Sequence, residues 1–188
     1  YMRNNAKELS GQLIAQLNEE LGEDRKVFFC AHKDVEPVLM TCDEKLNPEE
    51  NKWMTGHWGY VDGSNKWKDC DTAVIFGLPY RPDTWTANVF MALKGPQSDE
   101  WLQDSNSREY GGYLDIRKAL KHGQITTSII QAINRIRCRK VIDDQGNCPK
   151  ADVYILLPKD ELADDILDGI KKLMPGIKIK NWNYDSTS

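Results

Sequence analysis

The sequence predicts an α/β domain in which a mostly parallel sheet is flanked by helices. Short apolar runs alternate along the chain with longer amphipathic segments, as strands and helices do in βαβ units. Consecutive positions within the apolar runs are hydrophobic, which is typical of strands buried on both faces of a parallel sheet. The chain has no internal repeats, and its 188 residues are predicted to form one domain.

The first part of the chain is predicted to contain two helices and two extended segments. Residues 6–21 carry leucine and isoleucine at helical spacing, and a glycine follows them. The apolar run 27–30 predicts a buried strand. A second short extended segment is predicted at 35–43, and a short helix at 47–56. Residues 57–71 are rich in Gly, Asp, Asn and Ser and predict a loop.

The rest of the chain is predicted to continue the alternation of strands and helices. The predicted segments are, in order, a strand at 72–79, a helix at 83–93, a polar irregular connection at 95–112, helices at 113–123 and 126–141, a strand at 152–158, a helix at 159–176 and a strand at 177–184.

The composition excludes several classes of protein. The net charge of −4 argues against a strongly basic protein that coats nucleic acid, although one basic face can still lie on an acidic body. No apolar run has the length of a membrane span, so no membrane partner is expected. No apolar segment of the kind found in signal peptides follows the N-terminus, and the Tyr before Met2 indicates a vector remnant or a fragment of a longer chain.

The five cysteines predict a reducing environment. Their number is odd and no pair has C-x-x-C spacing, so a zinc site of the usual kind is not expected. Cysteines that remain reduced are typical of cytoplasmic proteins, which is the predicted location. The three histidines, His32, His57 and His122, do not share metal-ligand spacing. We therefore predict that the domain itself binds no metal.

The stretch IIQAINRIRCRK, residues 129–140, interleaves basic and apolar side chains. If it is a helix with roughly 100° per residue, Gln131, Arg135 and Arg139 lie on one polar stripe. The isoleucines then face the core, and Arg137 lies beside them. Arginine forks bind phosphate oxygens well, and an adjacent glutamine can position water or contact a phosphate. A solvated face with arginines paired to surface acids is the other interpretation of this pattern.

The loop WGYVDGSNKWK is the second candidate for a binding segment. Its glycines permit close approach to a ligand, and Ser64, Asn65, Lys66 and Lys68 add hydrogen-bonding groups and charge. Trp58 and Trp67 can stack on bases or pack inward. Parallel sheets bind ligands at the carboxyl ends of their strands, and residues 32–34 follow the first predicted strand there. We therefore include His32 among the candidates.

Signatures of an independent hydrolase are missing. The chain has no G-x-x-x-x-G-K-[ST] stretch that would cradle phosphates. Its paired carboxylates are not placed with a histidine for acid–base catalysis, and no nucleophile–base signature is present.

The order of these features resembles the second, C-terminal RecA-like domain of superfamily 2 helicases. The segments that carry the resemblance are DRKVFFCAHKDVEPVL for motif IV, GHWGYVDGSNKWKDCDTAVIFGLPYRP for motif V and its strand, and SIIQAINRIRCRKVIDDQGNCPKADVYILLP for motif VI with the following turn and strand. The GLPY stretch and the D-x-x-G after motif VI are most similar to DinG/XPD-type and related phage DEAD/DEAH-type helicases.

The resemblance implies a lobe that does not act alone. ATP and Mg²⁺ would be held by an N-terminal RecA-like lobe of the same full-length chain, since this domain lacks a P-loop of its own. This lobe would supply motif V and the arginine finger of motif VI to the bound ATP. By resemblance, Gln131 and Arg135 match the first two polar positions of motif VI. Gly63 and Asn65 match the motif V glycine and the polar residue that contacts nucleotide.

Three positions depart from the family pattern. The usual motif V aspartate is Asn65, the usual motif VI glycine is Asn134, and the usual final arginine is Cys138. Because the helical wheel puts Arg139 with Gln131 and Arg135, Arg139 is the predicted substitute finger.

The expected function is therefore that of the C-terminal lobe of an ATP-dependent helicase or translocase. DNA is the expected nucleic acid in preference to RNA, and we expect no ATP hydrolysis from this chain alone. Nucleic-acid contacts are assigned to Trp58, Ser64, Lys66, Lys68 and His32. The alternatives are a non-catalytic nucleic-acid-binding α/β module, a degenerate helicase lobe, and a nucleotide-binding α/β enzyme such as a nuclease or transferase.

Overall fold

The computed structural model describes residues 5–46, 52–103 and 108–182. The elements in chain order are α1 (Ala6–Glu20), β1 (Val27–Ala31), α2 (Glu36–Leu39), a 3₁₀ helix (Glu44–Leu46), β2 (Trp53–His57), β3 (Thr72–Phe76), α3 (Asp83–Lys94), α4 (Asp99–Gln103), α5 (Ile116–Ile133), a second 3₁₀ helix (Arg137–Arg139), β4 (Asp152–Ile155) and α6 (Glu161–Leu173).

The four strands form one sheet in the order β2-β1-β3-β4, and all neighbouring strands are parallel. The prediction of a parallel α/β sheet flanked by helices is confirmed. Every residue of the two central strands, β1 and β3, is buried, whereas every residue of the outer strand β4 is partly exposed. Continuous apolar runs occur where strands are covered on both faces, which explains why the central strands were the clearest in the sequence.

One face of the sheet is covered by α1 and α2. Helix α1 presents a stripe of buried residues at helical spacing, including Leu13, Ile14 and Leu17. These side chains belong to one apolar cluster with alternate residues of the central strands, such as Phe29 and Val74. Alternate strand residues point to the same face, so the remaining ones, such as Phe28, point to the opposite face.

The opposite face is covered in part by the connection from β2 to β3. These strands are parallel and lie on either side of β1, so residues 58–71 must return from the carboxyl to the amino end of the sheet. The ring of Trp67 stacks on Phe28 with centroids 4.4 Å apart, and its N–H donates to the carbonyl of Thr55 at 3.2 Å. A Cβ on Gly56 would lie 2.6 Å from this ring, so only glycine fits there.

The chain divides into two compact units. The first contains the sheet and comprises the residues up to Leu78, Ile129–Leu157 and the residues from Lys178 onward. The second comprises Pro79–Ser128 and Pro158–Ile177. Within the second unit, α5 and α6 lie so close together that a Cβ on Gly169 would be only 2.6 Å from Thr126. Every candidate site residue named from the sequence belongs to the first unit.

Two predictions about the first part of the chain are wrong. Residues 35–43 were expected to be extended, but Glu36–Leu39 is helical, with its proline in the first turn where the missing N–H costs little. Residues 47–56 were expected to be helical, but Trp53–His57 is a strand and pairs with β1 over its whole length. Residues 47–51 of that predicted helix lie outside the described residues.

Three predictions about the later elements are also wrong. The helices expected at 113–123 and 126–141 form one helix, Ile116–Ile133, which runs through Gly123. Thr126 lies inside this helix, and its hydroxyl donates to the carbonyl of His122 one turn earlier. No strand is present at 177–182, and residues 183–184 of that predicted strand lie outside the described chain. The second of the two predicted helices was expected to continue to residue 141, but α5 ends at Ile133. This early end changes the geometry of the arginine segment.

Candidate functional site

The arginine segment is not a continuous helix. Helix α5 ends at Ile133, and only Gln131 of the predicted polar stripe lies within it. Arg135 lies in the turn that follows, and Arg139 ends a separate 3₁₀ helix, Arg137–Arg139. The helical wheel therefore does not apply beyond Ile133, and the stripe joining Gln131, Arg135 and Arg139 is a wrong prediction.

Local and distant hydrogen bonds explain why α5 stops there. The Asn134 side chain donates to the Ile130 carbonyl at 3.0 Å, a local bond of the kind that competes with helix continuation. The next two backbone N–H groups bond three residues back instead of four, which tightens the last turn. The N–H of Arg137 then leaves the helix pattern altogether and donates to the carbonyl of Cys70 at 3.0 Å.

Two segments distant in sequence meet at this point. Arg139 Nη2 donates to Asn65 Oδ1 at 2.8 Å, although 74 residues separate them. Lys140 Nζ donates to Asp69 Oδ1 at 2.6 Å. We call residues 65–71 and 137–140 the paired segments. The structure thus brings together the polar residue of the predicted motif V and the predicted finger of motif VI.

Arg137 has a different environment from Arg139. Its Nε donates to the carbonyl of Lys150 at 2.6 Å, and its Nη1 lies 4.0 Å from Asp71. The guanidinium of Arg137 is therefore held by the protein's own backbone, whereas Arg139 is exposed and meets a neutral amide. This difference, and not the helical wheel, distinguishes the two arginines that flank Cys138.

Arg25, which was not selected from the sequence, holds Asp71 at the end of one of the paired segments. Arg25 Nε contacts Asp71 at 2.6 Å, and its Nη2 contacts Thr72 at 2.6 Å and Asp152 at 2.7 Å. Burial acts to raise the pKa of Asp71, but hydrogen bonds from Thr72 and Arg25 hold it below its ordinary value. This Arg25 clamp joins the amino ends of β1, β3 and β4. The only sequence signal is an arginine before one strand and aspartates beside two others.

The paired segments adjoin the amino end of β3, opposite the edge at which ligands were expected. The rule for parallel sheets directs attention to the carboxyl ends of strands. The loop after β2 does begin there, but it crosses the sheet and reaches β3 at Asp71. Only the first part of the predicted binding loop therefore lies at the expected edge.

Trp58 and His32 occupy that carboxyl edge. The backbone N–H of Trp58 donates to Ala31 at 3.0 Å, and its indole N–H donates to Gly77, also at 3.0 Å. Because β1 lies between β2 and β3, the indole lies across the carboxyl end of β1. His32 follows Ala31 directly and is half-buried. In the strand order, β2 lies next to β1 on one side and β4 lies next to β3 on the other, so the direction of the connections reverses between β1 and β3.

The remaining candidates of the loop are partly structural. Gly63 has a φ of +78°, a conformation that side chains rarely adopt. The Ser64 hydroxyl accepts from the backbone N–H of Lys66 at 3.3 Å, and the N–H of Lys68 donates to the carbonyl of Asn65 at 3.2 Å. The side chains of Lys66 and Lys68 are exposed.

Arg135 has an unusual feature. Its Nε is buried and has no hydrogen-bond partner among the described residues. A buried donor without a partner costs about 1–3 kcal/mol. Gln131, one turn earlier, is exposed.

The cysteines are all free thiols. Burial raises the pKa of Cys70 to about 12, and burial also raises the pKa of Cys138. Within residues 5–46, 52–103 and 108–182, no three His, Cys, Asp or Glu side chains are grouped to hold a metal ion. No helix in the described part of the chain combines the length and apolar character needed to cross a membrane.

No protein-family model, curated protein or solved structure matches this chain.

Proposed function

We propose that this chain is the second RecA-like lobe of an ATP-dependent helicase or translocase that acts on nucleic acid, DNA in preference to RNA. In this proposal the N-terminal lobe of the full-length protein holds ATP and Mg²⁺. The observation that carries the proposal is the 2.8 Å hydrogen bond between Arg139 and Asn65. It joins the two segments that resemble motifs V and VI, which both address the nucleotide in this class of enzyme.

The chemistry of Arg139 suits a role at a phosphoryl group. Hydrolysis of ATP spreads negative charge over the transferring phosphoryl oxygens, and a fixed cation aimed at them lowers the barrier. The guanidinium carries five N–H donors, and the contact with Asn65 Oδ1 uses Nη2 alone. Arg139 is exposed, so a second lobe can reach it. Arg135, with its buried unpaired Nε, is the second candidate for a phosphate contact.

The nucleic-acid contacts are proposed for two places. Trp58 and His32 lie at the carboxyl edge of the sheet, where an aromatic ring can stack on a base. The exposed Lys66 and Lys68, with Ser64 between the glycine and the lysines, add charge along the loop toward the paired segments.

The proposal is tested in the full-length protein by steady-state ATP hydrolysis with and without single-stranded DNA. Arg139→Ala is expected to lower kcat by about 10³-fold or more, the range measured for removal of arginine fingers, with a small change in KM. Arg81→Ala is the matched control, because Arg81 is an exposed arginine outside the first unit. The 188-residue chain alone is expected to be inactive. Robust Mg²⁺-dependent hydrolysis by the chain alone would contradict the proposal.

A non-catalytic nucleic-acid-binding module is the second candidate. It is favoured by two of the three departures from the family pattern, Asn65 and Cys138, which lie at positions that usually carry charge. In that case Arg135→Ala in the full-length protein would weaken binding of a labelled single-stranded oligonucleotide while ATP hydrolysis stayed unchanged. Binding by such a module is expected to weaken steeply with salt, because lysine–phosphate contacts release counterions.

A further inference from the structure

We infer that Asn65 is a positioning residue for Arg139, because its neutral amide fixes the guanidinium without cancelling its charge. This inference rests on the proposed function, since it concerns the cation that would face the phosphoryl group. The resemblance implies a direct nucleotide contact for position 65, whereas the geometry points to an action through Arg139.

The contact has a rigid base. Asn65 lies two residues before Trp67, which is fully buried, stacks on Phe28 and donates to the carbonyl of Thr55. The carbonyl of Asn65 itself accepts from the N–H of Lys68 at 3.2 Å, which closes a turn around the tryptophan. The backbone at Asn65 is therefore held close to a core residue, and the exposed Asn65 side chain contacts Arg139 from this fixed position.

The arginine side of the contact is also anchored. The backbone of Arg137 is bonded to Cys70, and its side chain to Lys150. Lys140, on the other side of Arg139, is bonded to Asp69. The two paired segments are therefore joined on both sides of Arg139, and the Asn65 contact fixes the one long side chain between them.

The two cations at the end of the second paired segment, Arg139 and Lys140, have partners of different charge. Lys140 meets a carboxylate at 2.6 Å, so its charge is compensated within the protein. Arg139 meets an amide oxygen at 2.8 Å, so the hydrogen bond orients it while its positive charge remains. An aspartate at position 65 would pair with the guanidinium and offset the charge that a developing phosphoryl anion requires.

The test uses the full-length protein and a double-mutant cycle. Asn65→Asp and Asn65→Ala are each made alone and together with Arg139→Ala, and kcat and KM for ATP are measured. Asn65→Asp is expected to lower kcat by about tenfold or more, part of the effect of losing an arginine finger, with KM changed by less than about twofold. In the Arg139→Ala background neither substitution is expected to have a further effect. Asn88→Asp is the matched control, because it makes the same change of side chain at an exposed asparagine outside the first unit.

Two outcomes of the cycle are distinguishable. If Asn65→Asp lowers kcat equally in the Arg139→Ala background, Asn65 acts directly on the nucleotide and the inference is overturned while the proposed function stands. If Arg139→Ala leaves ATP hydrolysis unchanged, the proposed function fails. The contact itself is then judged in the 188-residue chain by modification with phenylglyoxal and peptide mass spectrometry.

The expectation for that second measurement follows from the charge. A guanidinium in a charge-assisted pair with a carboxylate is held more tightly than one that meets an amide, so it is less available to phenylglyoxal. Asn65→Asp should therefore slow modification of Arg139 several-fold, and Asn88→Asp should not. Equal rates in the unsubstituted chain and Asn65→Asp would overturn the inference without reference to ATP.

Discussion

The indole N–H of Trp58 reaches across the carboxyl end of β1 and donates to the carbonyl oxygen of Gly77 at 3.0 Å. One side chain thus joins the ends of β2 and β3, which are not neighbours in the sheet. Trp58 therefore covers part of the edge where nucleic acid is proposed to bind, and it is also the residue proposed to stack on a base there. The ring and the N–H of Trp58 have separate roles, and these roles can be measured separately.

Trp58→Phe is expected to keep a stacking ring and lose the bond to Gly77. The free energy of unfolding should fall by about 1–3 kcal/mol in urea titrations, since a buried carbonyl loses its donor. Binding of a labelled single-stranded oligonucleotide should fall much less than in Trp58→Ala. Trp182→Phe is the control for stability, because the N–H of Trp182 bonds to the exposed carboxylate of Glu20. Equal unfolding free energies for both phenylalanine variants would contradict the expectation.

Gly56→Ala is expected to destabilise the first unit. The added Cβ would lie 2.6 Å from the Trp67 ring, which is fully buried and has no room to move. Overpacking of this kind costs about 1–3 kcal/mol. Gly11→Ala is the matched control, because Gly11 lies inside α1 with nothing within 4 Å of its Cβ position. That substitution should stabilise the chain by about 0.5–1 kcal/mol, so the two variants should shift the thermal midpoint in opposite directions.

Loss of the Arg25 clamp is expected to change how stability depends on pH. The pKa of Asp71 is lowered in the folded protein, so its contribution is present above the unfolded value of about 3.9 and is lost as pH falls through the folded value. Arg25→Gln should therefore lower the free energy of unfolding at neutral pH and make its decline below about pH 4 shallower.

The control for the clamp is an exposed ion pair. Lys171 and Asp168 lie 3.2 Å apart with side chains that are 57% and 77% exposed. Pairs of this kind contribute about 0–1 kcal/mol, so Lys171→Gln should leave the pH profile almost unchanged. A decline in acid that is equally steep in the Arg25→Gln variant and the unsubstituted chain would show that Asp71 does not depend on the clamp.

The thiols are expected to react in an order set by burial. Cys148 is exposed and should react at once with a thiol reagent such as 5,5′-dithiobis(2-nitrobenzoate). Cys30 and Cys70 are buried, and burial raises the pKa of both thiols, that of Cys70 to about 12. These two thiols are therefore expected to stay unreactive at pH 7 and at pH 9 until the protein unfolds. Rapid native labelling of Cys70, mapped by mass spectrometry, would contradict its assigned burial.

The sequence predicted those elements whose pattern is local. Val27–Ala31 and Thr72–Phe76 are apolar at successive positions because both faces are buried, and that pattern needs no knowledge of the partner strands. Strand β2 was not predicted because Trp53–His57 follows a stretch of proline and glutamate that favours a helix start. Its five pairings with β1 outweigh that local preference. Helix α5 runs through Gly123 because the cost of about 1 kcal/mol for an interior glycine is small beside the packing of a long helix.

The geometry of the candidate site could not be predicted because it depends on contacts between residues distant in sequence. No pattern within residues 129–140 shows that the N–H of Arg137 will bond to Cys70 and end the helical geometry. The resemblance selected Asn65 and assigned motif VI to this stretch, and the wheel chose Arg139 on grounds that the structure does not support. What distinguishes Arg139 from Arg137 is the partner that each guanidinium meets, Asn65 in one case and Lys150 in the other.

The Arg25 clamp also bears on the order in which the sheet can assemble. Arg25 contacts Asp152, which lies 127 residues later in the chain and begins β4, the last strand of the sheet. The entropy of closing so long a loop must be offset before that contact forms, whereas β1 and β2 pair across a far shorter interval. Folding should therefore complete the β2-β1-β3 part first and add β4 late. Until β4 docks, Arg25 holds one carboxylate instead of two, and the sheet keeps an open edge at β3.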